Sequence, residues 1–171
     1  MNKNKLKIIF RIILLGLIIL ICVKIYEFSA QTGEESSSLS EDISRVIIRL
    51  FPEYRDLNES TMTILVRKID PFVRKAAHIT VYGILGILCF LFGITFKSKD
   101  YKKQYLYSLF YCFVYAISDE MHQYFVSGRA GKGTDVLIDL LGAFIGITFI
   151  WSIVPNKKKL KSKKENKKIN E

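Results

Sequence analysis

The residues of this chain that could do chemistry are two histidines, several carboxylates and a few arginines, most of them beside long apolar runs. The densest group is Asp119, Glu120, His122, Gln123 and Tyr124, which follows a run from Tyr105 to Ser118 without a charged residue. On a helix Asp119, His122 and Gln123 share a face, while Glu120 points about 100° away. An ionised carboxylate at mid-membrane costs about 2.5–3.5 kcal/mol on insertion scales, so it calls for a cation, a donor or a functional reason. A second group, Arg74, Lys75, His78 and Tyr82, opens another apolar run. Arg74, His78 and Tyr82 form one helical stripe. Arg74 and Lys75 read equally as interface anchors, and His78 as either a satisfied buried histidine or a member of a site. The third group is the loop from Ser127 to Thr134 with glycines at 128, 131 and 133, then Asp135 and Asp139 one turn apart. Exposed N–H groups in such a loop can face an anion, although the loop lacks Walker spacing.

Three kinds of chemistry fit these types. Arg74, Lys75 and Arg129 suit a phosphate or carboxylate. His78 or His122 suits a general base, with Asp119 or Glu120 orienting it or accepting a proton. A metal alternative would draw on both histidines and on Asp119, Glu120 or Asp135, a donor set suited to zinc. No serine or cysteine stands in a recognisable nucleophile motif. The same groups would also serve as an ion-paired staple between helices, so the sequence alone commits to no cofactor, no metal and no reaction.

The elements that must position them are helical. Apolar blocks cover residues 8–26, 76–96, 105–125 and 136–154, each roughly the length that about 30 Å of hydrocarbon requires. They lack the polar stripe of helices in soluble proteins. The expectation is an all-α polytopic membrane protein with four spans, the first a retained anchor in preference to a cleaved signal peptide. The net charge is +10. Its basic residues gather before the first block, between the second and third, and in a lysine-rich, disordered tail over 156–171. The positive-inside rule puts both termini in the cytoplasm and the 27–75 loop outside a plasma membrane. The positive charge then meets anionic lipid and needs no nucleic acid.

Within the outer loop, Ser38-Leu39-Ser40-Glu41 fits a capping box opening an amphipathic helix that Pro52 closes. Met62, Leu65, Val66 and Ile69 suggest a second surface helix, with Asp70-Pro71 as N-cap and first position of the next span. Gly142 and Gly146 have small-xxx-small spacing, which favours a close helix neighbour and aims Asp139 into the bundle. Cys22, Cys89 and Cys112 fall in three different blocks and read as small apolar fillers.

Phe28-Ser29-Ala30-Gln31 with Gly33, Ser36 and Ser40, then Arg74-Lys75-Ala76-Ala77-His78 with Tyr82 and Gly86, then Asp119-Glu120-Met121-His122-Gln123 with Phe125, Gly128-Arg129 and Asp135, resembles the VanZ-like family. The likeness runs from about Phe28 to Gly146, with Ser127 and Val81 departing from the usual pattern. It implies a small bacterial membrane protein of the cell envelope, of a family whose named member gives low-level resistance to the glycopeptide teicoplanin. It adds Ser29 and Gln31 to the ligand-binding candidates Arg74, Lys75, Gln123, Arg129, Asp135 and Asp139. The implied partners are membrane lipids and a cell-wall precursor or lipoglycopeptide. Oligomeric state is not legible.

Overall fold

The computed structural model describes residues 3–96 and 100–154; Lys97, Lys99 and the lysine-rich 156–171 tail lie outside the described residues. The described chain is all-helical, without a strand: α1 Lys3–Ala30, α2 Gly33–Arg49, a short 3-10 turn Pro52–Tyr54, α3 Glu59–Ile94, α4 Tyr101–Tyr124 and α5 Gly133–Ile153. Among the described residues, α1, α3 and α5 are long and apolar enough to cross a membrane. The block expected as the third span is α4, which falls short of that standard by composition. Tyr105, Tyr107, Tyr111 and Tyr115, with Asp119 and Glu120, dilute its apolar run.

Those tyrosines have partners. Tyr115 donates to the Cys22 carbonyl on α1 at 2.7 Å, and the Tyr105 and Thr148 hydroxyls lie 2.8 Å apart, tying α4 to α5. Helices α3 and α5 pack most extensively of all, because glycines let their backbones meet. A Cβ added at Gly146 would collide with the Gly83 carbonyl, one at Gly142 with the Ile79 backbone, and one at Gly86 would stand 2.9 Å from the Ala143 oxygen. With little hydrophobic drive between helices in lipid, such close approach supplies the packing energy. Around this seam Tyr82, Leu85, Cys112, Ala116 and Ala143 form the core with Ile18 and Ile25 of α1. At the opposite end from the polar groups, Arg11 closes α3 by donating to the Thr95 carbonyl at 2.6 Å and its hydroxyl at 3.0 Å. A cation at a helix C-terminus complements the helix dipole.

The outer segment differs from expectation at two points. Helix α2 is capped six residues before the expected Ser38 cap. Its capping box is Thr32–Glu35: the Glu35 amide donates to the Thr32 hydroxyl at 3.3 Å, and the Thr32 amide to the Glu35 carboxylate at 2.9 Å. Thr32-x-x-Glu35 satisfies the same rule and places Glu34 and Glu35 in the first turn, where acids suit the dipole. The two bonds from Thr32 hold the Glu35 carboxyl below the usual carboxylate range. The second correction is Asp70-Pro71, which opens no helix. Met62 to Ile69 and the second block form one 36-residue helix capped by Asn58, with Pro71 inside it. Pro71 removes one backbone donor, and packing on α2 carries the helix through it: Ile48 of α2 and Met62 and Val66 of α3 make a small second core.

Candidate functional site

The groups singled out in the sequence come to one end of the bundle, each placed by a different helix. From α3, His78 Nδ1 lies 2.9 Å from Asp139 Oδ1 of α5, and Asp139 is 0 % exposed. The glycine seam below accounts for this closeness, since it draws the first turns of α5 against α3. Asp139 therefore faces into the bundle. One turn before His78, Arg74 donates through Nε to Asp70 at 2.9 Å and through Nη2 to the Ser37 hydroxyl at 2.8 Å. Asp70, expected as a helix cap, thus positions a guanidinium instead.

Arg129 is held in a parallel manner from the other side, by donating to the Ser36 hydroxyl. Its loop is latched to the start of α2: the Gly33 amide donates to the Ser127 carbonyl at 3.1 Å, and Gly128 turns with φ at 73° against Gly33. Only glycine accepts that φ without strain. Ser36 and Ser37, neighbours on α2, thereby seat the two arginines from α3 and the loop. Burial lowers the Arg129 guanidinium from its ordinary value; guanidinium remains charged at any physiological pH.

Helix α4 contributes Asp119 and Gln123, both buried, with Gln123 Nε2 donating to Asp119 Oδ2 at 3.1 Å. Ser29 of α1 donates to the Asp119 carbonyl at 3.4 Å, closing the α1 side. Glu120 is also buried, and its Oε2 accepts the Lys132 amide at 2.8 Å. Between these elements lies a cavity of about 570 Å³. Its polar lining holds the expected Ser29, Gln31, Arg74, Lys75, His78, Asp119, Gln123, Arg129 and Asp135, and Tyr82 and Lys132 besides. Its apolar wall comes from Ile25, Phe28, Leu39, Ile43, Val81 and Ile138, with α2 as the roof.

Three of the residues expected at the site lie off that lining. Asp139 stands behind His78, and Glu120 beside the loop. His122 turns to α1, where its ring stacks on Tyr26 with centroids 4.7 Å apart. It does not join His78 at the cavity. The residues that sequence reasoning did not single out are Ser37, Asp70 and Lys132. Ser36 was visible only through the motif it belongs to.

A metal reading finds its donors in a different set from the expected one. Asp119, Glu120 and Asp139 offer oxygens all within 4.8 Å of one another, without either histidine.

No curated protein and no solved structure matches the chain. A family model described as VanZ/LLP1 matches residues 13–154, from the first turns of α1 to the end of α5. That match takes in every residue of the cavity and of the seam that shapes it, and the chain belongs to the VanZ-like family.

Proposed function

We propose that this protein sits in the bacterial plasma membrane with four helices spanning it, and holds an anionic amphiphile in its cavity at the outer leaflet. The ligand class is a phospholipid, a lipid-linked wall precursor or a lipoglycopeptide. The observation that carries this reading is the lining: two guanidiniums, Arg74 and Arg129, share one cavity with a wall of aliphatic and aromatic side chains. Paired N–H donors suit phosphate and carboxylate oxygens, and the apolar wall suits acyl chain. Helix α2 and the two residues after it support the reading further, since Leu39, Ile43, Val46, Leu50 and Phe51 stand exposed, as in a helix seated in a headgroup layer. A family whose named member gives low-level teicoplanin resistance makes glycopeptide tolerance the phenotype to measure.

The test uses full-length protein in neutral detergent, titrated with a fluorescent phosphatidylglycerol analogue and with labelled teicoplanin. Saturable binding is expected, weakened about a hundredfold or more when Arg74→Gln and Arg129→Gln are combined, each lost charge-assisted bond being worth about 1.5–3 kcal/mol. Cells lacking the gene are expected to be more susceptible to the drug. Binding no stronger than to empty micelles, with unchanged susceptibility, would reject the proposal.

A second reading, a membrane enzyme on such a substrate, is favoured by one contact. The bond from His78 Nδ1 to Asp139 orients the imidazole and leaves Nε2 for a ligand in the cavity, the arrangement a general base requires. In this reading His78 is the base and His122 is not.

A further inference from the structure

Asp119, Glu120 and Asp139 pose a charge problem that hydrogen bonding does not solve. All three are buried. Among the described residues no lysine or arginine side chain pairs with any of them, and His78 on Asp139 is the one ion-pair partner. Glu120 Oε1 and Asp139 Oδ2 have no hydrogen-bond partner. A third orphan comes from outside the cluster: the Tyr82 hydroxyl, on a residue 1 % exposed that lines the same cavity as Asp119, is unpartnered. Buried polar groups are nearly always satisfied, so orphans on two clustered carboxylates, with a third on a residue that shares the cavity wall with Asp119, point to a ligand there.

We propose that Asp119, Glu120 and Asp139 bind one hard divalent cation, of the Ca²⁺, Mn²⁺ or Mg²⁺ type, at the wall of the cavity. The donor set is all oxygen, which selects this class over zinc or copper. Oxygens bound to one calcium ion at about 2.3–2.6 Å stand no more than about 5.2 Å apart, and one oxygen from each of the three carboxylates lies within 4.8 Å of the other two. The contacts already made leave one oxygen unpartnered on each of two of these carboxylates. His78 occupies Asp139 Oδ1 and leaves Oδ2; the Lys132 amide occupies Glu120 Oε2 and leaves Oε1. His78 is then the orienting partner of a ligand carboxylate, the outer-shell role that tunes metal sites. The site does not depend on the amphiphile reading, because Glu120 and Asp139 lie off the cavity lining.

The experiment is a Mn²⁺ titration of chelator-stripped, full-length protein in neutral detergent without added lipid, with free Mn²⁺ read by electron paramagnetic resonance. About one Mn²⁺ per chain is expected, displaced by Ca²⁺, with a dissociation constant on the order of 10⁻⁶–10⁻⁴ M. Glu120→Gln and Asp139→Asn are each expected to weaken it about tenfold or more, and Glu53→Gln, on the exposed turn, to leave it unchanged. Should a variant not fold, the wild-type stoichiometry and its Ca²⁺ competition still decide. Absence of saturable Mn²⁺ binding by folded wild-type protein would overturn the site and mean that protons neutralise the acids. Lipid binding without Mn²⁺ binding would sink the ion site alone, and the converse would sink the amphiphile reading alone.

Discussion

His78 and Asp139 show how much a single contact decides. Asp139 is wholly enclosed, and His78 is the donor that the described structure gives it. Truncation to His78→Ala would leave a buried carboxylate oxygen without its protein donor. A loss of about 1–3 kcal/mol is the expected cost of orphaning such a group. It is measured as a lowered denaturation midpoint in detergent, and His78→Asn, which keeps a donor, should recover part of it. An unchanged midpoint would mean that Asp139 is carried as a neutral acid. The same scale explains His122. Asp119 and Gln123 lie about 40° apart around a helix, whereas His122 lies about 60° from Asp119 on the far side. The cavity therefore takes the first two, and α1 takes the histidine through Tyr26. Spacing alone grouped all three because i+3 and i+4 neighbours touch on an isolated helix; only the neighbouring helix separates them.

At the scale of elements, the glycine seam is the feature that the rest of the site leans on. Gly146→Leu would drive a side chain into the Gly83 carbonyl and force α3 and α5 apart. Overpacking of this kind costs about 1–3 kcal/mol, and it should move His78 away from Asp139. Gly16→Ala is the contrasting change: nothing lies within 4 Å of its added Cβ, so a gain of up to about 1 kcal/mol from helix propensity is expected. Thermal unfolding of the two variants should shift in opposite directions, and equal shifts would deny the seam its role. The small-xxx-small spacing of Gly142 and Gly146 made this seam legible in the sequence, although not which helix fills it. The start of α2 and the fate of Pro71 were not legible. Two capping boxes, at Thr32 and at Ser38, satisfy the same local rule, and only the latch between Gly33 and Ser127 distinguishes them. Likewise Asp-Pro reads as a helix start wherever nothing supports the turn before it. Here the contacts of Met62 and Val66 with Ile48 hold that turn in place.

For the whole molecule, the question is which way the cavity faces. The polar groups from α1, α3, α4, α5 and both loops gather at one end, while Arg11 and Thr95 mark the other. Arg11, Lys102 and Lys103 stand at or near that second end, and the lysine-rich 156–171 segment follows α5, which runs toward it. If positive residues stay in the cytoplasm, the cavity opens to the cell exterior, where an outer-leaflet ligand could enter it. Single-cysteine labelling decides the point. With Cys22, Cys89 and Cys112 replaced by alanine, Glu53→Cys on the exposed turn should react with a membrane-impermeant maleimide in intact cells. Lys103→Cys should react only after permeabilisation. A reversed pattern would put the cavity in the cytoplasm, and an outer-leaflet lipid or a glycopeptide could no longer reach it. Equal labelling of both positions in intact cells would mean that α4 does not cross. Its tyrosines would then be interface anchors, and their bonds to Cys22 and Thr148 would brace a helix that spans nothing.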